Sequence, residues 1–109
     1  MGKFEIKKRG NGEFQFNLKA GNGQIIMSSE GYAAKASCMG GIESVRKNAS
    51  REGSFERGTS SSGKFFFRLK ATNGQVIGTS EMYESEAARD NGIDSVMRNA
   101  DSPIDDTTV

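Results

Sequence analysis

Apolar and polar residues alternate along two stretches of the chain, "EFQFNLKA" at residues 13–20 and "KFFFRLKA" at residues 64–71. In the first stretch Phe14, Phe16 and Leu18 alternate with polar residues, and this period of two is typical of a strand with one buried face. The second stretch has Phe or Leu at the corresponding three positions. Both stretches are therefore predicted to be strands that lay one face on a core.

Two later segments, at residues 34–49 and 85–100, carry small and apolar residues at helical spacing. The predicted inward faces consist of Ala34, Cys38, Gly41, Ile42, Val45 and Ala49 in the first segment, and of Ser85, Arg89, Gly92, Ile93, Val96 and Ala100 in the second. A glycine inside a helix costs about 1 kcal/mol relative to alanine. Gly41 and Gly92 therefore predict that each helix backbone passes so close to the sheet, or to the other helix, that a methyl group would clash.

These elements belong to a repeat with an interval of fifty-one residues. When residues 12–49 are laid over residues 63–100 without a gap, twenty of the thirty-eight positions are identical by direct count. Each copy, at about residues 3–52 and 54–103, is predicted to form three strands followed by a helix. The turns between the second and third strands contain Asn22-Gly23 and Asn73-Gly74, residue pairs that suit tight hairpins.

A unit of three strands and one helix has a small core and is marginally stable by itself. The sequence therefore predicts an α+β fold in which two tandem β-β-β-α repeats share one antiparallel sheet of about six strands, with both helices on one face. The whole chain, residues 1–109, is expected to be a single domain and a pseudo-dimer, and so a monomer. Residues 104–109 are expected to form either an acidic tail or a short edge strand at Ile104.

Composition narrows the chemistry more than it defines a function. The chain has 109 residues, a formal net charge of +1 and no histidine, and Cys38 is its single cysteine. Cys–His and Ser–His–Asp nucleophile systems are thereby excluded, as are zinc sites built from Cys and His. No cofactor is predicted and catalysis is disfavoured. There is no apolar run long enough to span a bilayer, so no membrane partner is predicted, and the single thiol predicts a cytoplasmic location.

The chain resembles the YegP-like family of small tandem-repeat proteins of unassigned function. The resemblance lies in "GEFQFNLKAGNGQII", "SSEGY" and "GIESVRKNA" and in the counterparts "GKFFFRLKATNGQVI", "TSEMY" and "GIDSVMRNA". It implies an α+β fold with one sheet and exchange of terminal strands, and it implies no activity, cofactor or substrate. Family members often have Ser at the helix start, as Ser85 does, whereas Ala34 departs from this pattern. The first helix is therefore expected to lack a side-chain N-cap.

The repeated segments "SSEGY" and "TSEMY" are one candidate site. Glu30 with Tyr32, and Glu81 with Tyr83, are predicted to form two related polar sites, because a carboxylate near a phenol can position or transfer a proton. The favoured interpretation is structural: the polar groups satisfy backbone N–H groups at the helix entrance while each tyrosine packs at the sheet edge.

The outward face of the second strands is the other candidate. Lys19, Phe66, Arg68 and Lys70 are predicted to place an aromatic ring among cations on an open sheet. Single-stranded nucleic acid binds such surfaces through stacked bases and phosphate contacts. The near-zero net charge, and the Gln15 that stands in copy one where copy two has Phe66, make nucleic-acid binding the less favoured alternative.

Two functions of different classes therefore remain open. The favoured one is a non-catalytic interaction module that presents the sheet face to an unknown protein or polymer partner. The alternative is a small-molecule enzyme or sensor that uses the paired Glu/Tyr segments. A pocket lined by Glu30 or Glu81 would favour the second hypothesis, and an open sheet face without a cleft would favour the first.

Overall fold

The structure is a computed structural model that describes residues 2–109, with the side chain of residue 52 left aside. Across this range the first repeat forms β1 (Lys3–Lys8), β2 (Phe14–Lys19), β3 (Ile25–Ser29) and α1 (Lys35–Asn48). A short 3₁₀ turn (Glu52–Ser54) leads to the second repeat, which forms β4 (Phe55–Thr59), β5 (Phe65–Lys70), β6 (Val76–Ser80) and α2 (Glu86–Asn99). The last element is β7 (Ile104–Asp106).

All of these strands join one sheet in the order β4-β5-β6-β3-β2-β1-β7. The two repeats meet at the centre of the sheet, where β3 pairs with β6 antiparallel and Ser28 lies opposite Thr79. Both helices pack on the same core, so the predicted α+β fold with one shared sheet is confirmed. The observed sheet has one strand more than predicted, because β7 pairs parallel to β1 with Phe4 opposite Ile104.

The core is continuous across the two repeats and lies between the sheet and the helices. Two edge-to-face aromatic pairs occupy corresponding places in the two halves: Phe4 with Phe16 at 5.9 Å and Phe55 with Phe67 at 5.8 Å between ring centroids. The largest fully buried side chains are Phe4, Phe16, Phe67, Ile6, Leu18, Met27, Ile42, Leu69, Ile93, Val45 and Val96. Each half thus contributes to one interior that neither half encloses by itself.

The two helices begin differently, as the sequence predicts. The Ser85 hydroxyl accepts a hydrogen bond from the backbone N–H of Ala88 at 3.1 Å, whereas Ala34 makes no side-chain cap. A cap of this kind stabilises a helix by about 1 kcal/mol. The predicted absence of a cap on α1 is confirmed.

The helix glycines lie where the two tyrosines meet the helices. A Cβ atom on Gly41 would lie 2.9 Å from Tyr32 Cζ, closer still to Tyr32 Oη, and 3.0 Å from Phe16 Cε2. Gly92 has the same relationship with Tyr83. The predicted close approach is therefore confirmed, and the neighbour that requires it is in each case a tyrosine from the same repeat.

The C-terminal segment is a strand that covers the outer edge of β1. The backbone N–H of Phe4 donates to Pro103 at 2.9 Å, and that of Thr107 donates to Ile6 at 3.1 Å. Two ion pairs fix the strand from opposite faces: Lys3 Nζ with Asp105 at 3.1 Å and Lys35 Nζ with Asp106 at 2.9 Å. Of the two alternatives for this segment, the structure contains the edge strand.

Candidate functional site

The two Glu/Tyr segments extend the sheet between the third strand and the helix of each repeat. Tyr32 and Phe14 exchange two backbone hydrogen bonds of 2.7 Å, and Tyr83 and Phe65 exchange equivalent bonds of 2.7 and 2.9 Å. This pairing directs each tyrosine ring toward the helix glycine of its own repeat. The ring of Tyr83 also stacks on Phe67, with 6.3 Å between centroids and an interplanar angle of 13°.

The structure places each glutamate near the tyrosine of its own repeat. Burial raises the pKa of Tyr32 above its ordinary value, and the neighbouring Cys38 and Glu30 raise it further. Burial likewise raises the pKa of Tyr83, with an added contribution from the Glu81 carboxylate. Both phenols are therefore held protonated, so they act as packing groups against the helix glycines rather than as bases.

A groove of about 700 Å³ lies between the β2–β3 hairpin of repeat one and α2 of repeat two. This volume lies within the roughly 300–1,000 Å³ typical of small-molecule sites. We call it the inter-repeat groove; one wall consists of Ala20, Asn22, Gly23, Gln24, Ile25 and Ile26, and the other of Glu81, Tyr83, Ala88, Asn91, Gly92, Ser95 and Arg98. The duplication creates this site, because each repeat supplies one wall.

The α2 wall presents polar groups in a single stripe. Asn91, Ser95 and Arg98 are spaced at i, i+4 and i+7, which places them on one helix face. Glu81 and Arg98 are both exposed, and neither side chain forms an ion pair or hydrogen bond with another residue in the part of the chain that the structure describes. Two unpaired charges of opposite sign thus line the same groove.

The corresponding stripe on α1 is less developed. A cavity of about 540 Å³ there is lined by residues of α1 alone, namely Gly40, Glu43, Ser44, Arg46 and Lys47. Gly40, Ser44 and Lys47 are the repeat counterparts of Asn91, Ser95 and Arg98. Repeat one therefore retains a hydroxyl and a cation but has lost the amide.

On the open face of the sheet, the cations predicted to contact a ligand are already paired. Glu56 binds Lys70 at 2.9 Å and Arg68 at 3.4 Å. The Lys19 ammonium group lies 3.0 Å from the carboxylate of Glu5. These ammonium partners lower the pKa values of Glu56 and Glu5, so both acids are ionised at neutral pH and neutralise the face.

The expectation that Phe66 presents an exposed ring on this face is wrong. Its exposure is only 9%, because the ring lies against Gly58 on the neighbouring strand and beneath the Arg68 guanidinium group, 4.7 Å from the ring centroid. A Cβ atom on Gly58 would lie 3.0 Å from Phe66 Cε1. The ring fills the space above a strand glycine and is not free to stack on a base.

The sequence pattern brought out Glu81 and Tyr83 but not the rest of the groove. Asn91, Ser95 and Arg98 form a polar stripe that was detectable from helical spacing, yet nothing in the sequence shows which surface the stripe faces. Ile25 and Ile26 come from the other repeat, so only the tertiary structure brings them to the same site. Among the described residues there is no group of three or more acidic or cysteine side chains placed to hold a metal ion.

The fold and the groove define the chain as an α+β protein of two tandem repeats with an internal pseudo-dimer. The profile of a domain of unknown function, DUF1508, matches it twice, at residues 10–56 and 60–106. The chain is 56% identical over 96 residues to a UPF0339 protein of Pseudomonas aeruginosa, a match that covers 88% of this chain and 87% of the relative. It is 51% identical over 104 residues to the UPF0339 protein YegP of Yersinia pestis, covering 95% and 93% of the two chains. The chain therefore belongs to the DUF1508 (UPF0339, YegP) family, whose function is unknown.

Two solution NMR structures have the same fold. The UPF0339 protein of Shewanella oneidensis superposes with a TM-score of 0.91 at 49% identity, over 96% of this chain and 90% of that one. The yegP protein of Escherichia coli superposes with a TM-score of 0.93 at 46% identity, over 97% and 92%. The internal repeat fits a monomer. Within residues 2–109, neither helix has the length and apolar composition needed to span a bilayer.

Proposed function

We propose that the protein is a non-catalytic binding module whose ligand site is the inter-repeat groove. The observation that carries this proposal is a groove of about 700 Å³ that contains Glu81 and Arg98, neither of them paired within the described residues, beside the partly exposed Ile25. Ligand sites are typically concave and mostly apolar, with a few convergent polar groups that fix orientation. The groove thus takes the place of the open sheet face as the favoured site, and because Glu81 lines it, it favours a small-molecule sensor over a module that presents its sheet face.

The ionisable groups support binding rather than catalysis. Cys38 is completely buried, and burial together with the nearby Asp106 carboxylate raises its pKa, so the thiol is held in its unreactive form. The raised pKa values of Tyr32 and Tyr83 likewise keep the phenols protonated. A thiol or phenol that acts as a catalytic nucleophile or base needs its pKa lowered toward neutral pH instead. A sensor that uses the groove, by contrast, needs no activated group.

The proposal also covers the domain organisation, the oligomeric state and the cellular location of the protein. The core that both repeats share supports a single domain over residues 1–109. The internal repeat supports a monomer, and the single buried thiol supports a location in the cytoplasm. The partner is then a diffusible ligand rather than a membrane or a nucleic-acid strand.

The test is a ligand screen by NMR on the ¹⁵N-labelled protein, with amino acids, short peptides, amines and carboxylates at millimolar concentration. We expect saturable shift changes at the amides of Ile26, Gly92 and Ser95. Arg98→Ala should weaken these changes, and the matched variant Lys47→Ala, which alters the corresponding residue of repeat one, should not. Shift changes confined to the open sheet face, or equal effects of the two variants, would contradict the proposed site.

A further inference from the structure

We infer that the inter-repeat groove binds a short peptide with free termini, its ammonium group at Glu81 and its carboxylate at Arg98. This inference rests on the proposed function and specifies the chemical class of its ligand. Glu81 and Arg98 line the same groove and are unpaired within the described chain. A ligand with a positive and a negative end satisfies both charges at once.

A ligand that carries charge of only one sign would leave either Glu81 or Arg98 without an opposite charge. A phosphate or dicarboxylate would pair with Arg98 but would bring negative charge toward Glu81. An amine would pair with Glu81 and leave Arg98 without a partner. Charged groups facing a ligand give specificity mainly by rejecting the wrong sign, so a zwitterion is the class that the groove favours.

The length of the groove selects a peptide over a free amino acid. The phenol of Tyr83 lies against the position where Gly92 would carry a Cβ atom, so the segment that carries Tyr83 and, two residues earlier, Glu81 meets the helix at Gly92. From Gly92 to Arg98 the helix rises about 9 Å at 1.5 Å per residue. An extended tripeptide spans about 10 Å at roughly 3.3–3.6 Å per residue, whereas the two charges of one amino acid lie within one residue of each other.

The remaining walls suit the middle of such a peptide. The partly exposed Ile25, with the buried Ile26 behind it, offers an apolar surface to one aliphatic side chain. On the opposite wall Asn91 and Ser95 offer an amide and a hydroxyl to the peptide backbone, between the two charged ends. The groove thus has a partner for each part of a zwitterionic tripeptide that has an apolar central residue.

The experiment titrates the full-length protein with the tripeptide Gly-Leu-Gly and follows the amides of the groove by NMR. Two matched probes remove one charge each: the N-acetylated peptide removes the ammonium group, and the C-terminal amide removes the carboxylate. We expect each capped peptide to bind about two- to fivefold more weakly, which is the loss typical of one solvent-exposed ion pair. Glu81→Gln should abolish the preference for the free amino terminus, and Arg98→Ala the preference for the free carboxylate.

The chain supplies internal controls for both variants. Glu30→Gln and Lys47→Ala alter the corresponding residues of repeat one and should leave the affinity for Gly-Leu-Gly unchanged. Equal affinity for the free and the capped peptides would overturn the zwitterion inference while leaving the groove as a binding site. Failure of Gly-Leu-Gly to shift the groove amides, when another compound of the screen does, would have the same meaning. If no compound shifts them, both the inference and the proposed function are wrong.

Discussion

The neighbouring glycines of α1 allow one substitution to be tested in two environments that differ by a single residue. Gly40 is exposed, and nothing lies within 4 Å of the position that a Cβ atom would occupy. Gly41 is buried, with Tyr32 and Phe16 in the space that a methyl group needs. We predict that Gly40→Ala stabilises the protein and that Gly41→Ala destabilises it.

The magnitudes follow from two opposing contributions. Alanine gains about 1 kcal/mol over glycine inside a helix, and this gain applies at both positions. At Gly41 the methyl group would lie 3.0 Å from a ring carbon of the fully buried Phe16, and overpacking of this kind costs about 1–3 kcal/mol. Gly40→Ala should therefore raise the free energy of unfolding by about 1 kcal/mol, and Gly41→Ala should lower it by up to about 2 kcal/mol.

Thermal and urea unfolding followed by circular dichroism measure both changes. For a chain of this size 1 kcal/mol corresponds to about 4–8 °C in Tm, so the two variants should separate clearly. Tyr32→Phe removes the hydroxyl group nearest to the added methyl and should reduce the cost of Gly41→Ala. Tyr83→Phe, the matched change in the other repeat, should not reduce it. A Tm for Gly41→Ala at or above that of Gly40→Ala would refute the close-packing explanation.

Three further predictions concern the interface between the repeats, the C-terminal strand and the division of the chain. Gly78→Ala should lower Tm, because its Cβ atom would lie 2.8 Å from Cγ of the buried Met27; in a Met27→Ala background the same change should cost nothing, and an unchanged cost there would contradict this cause. Hydrogen bonds from Thr108 and an ion pair with Lys35 lower the pKa of Asp106 from 3.8 to about 2, so the stability that Asp106 contributes is complete above about pH 4 and is lost as the pH falls toward 2. Asp106→Asn should thus lower Tm at pH 7 and approach the wild type as the pH falls below about 2, and a difference that does not depend on pH would refute the assignment. Fragments divided at Gly53 should not fold as separate monomers in circular dichroism or NMR spectra, and a cooperatively folded fragment would contradict the shared core.

The repeat made most of the fold predictable, but it did not show which residues of the third strands, β3 and β6, point toward the core. Ile25-Ile26 and Val76-Ile77 are adjacent apolar pairs, so no alternation indicates which residue points inward. The structure gives the reason: the pairing of β2 with β3 and of β5 with β6 shifts register at these pairs, leaving one residue of each as a β-bulge. A bulge breaks the period of two on which the prediction depends.

The candidate site was only partly predictable for a similar reason. Alternation correctly placed Phe66 opposite the core, yet its exposure depended on Gly58, a cross-strand neighbour that the sequence separates from it by eight positions. Glu81 and Tyr83 were detectable because their segment is repeated. The hairpin wall of the groove belongs to the other repeat, and only the pairing of β3 with β6 brings it there.

The positions at which the two repeats differ fall into two kinds. Met27 and Gly78 are counterparts that meet where the repeats join, and there is space for only one large side chain. At the sheet edges, Ile6 lies under β7, whereas its counterpart Arg57 on the uncovered edge strand β4 faces the helix side and binds Asp90 at 3.0 Å.

Packing accounts for these differences, because a single C-terminal strand covers one edge and an inward-pointing charge protects the other. It does not account for Asn91, since its counterpart Gly40 is exposed with open space around it. Asn91 is an amide that the fold does not require, and it begins a polar stripe in a groove whose charged residues, Glu81 and Arg98, form no ion pair within the described residues, so contact with a ligand explains it more simply than stability does.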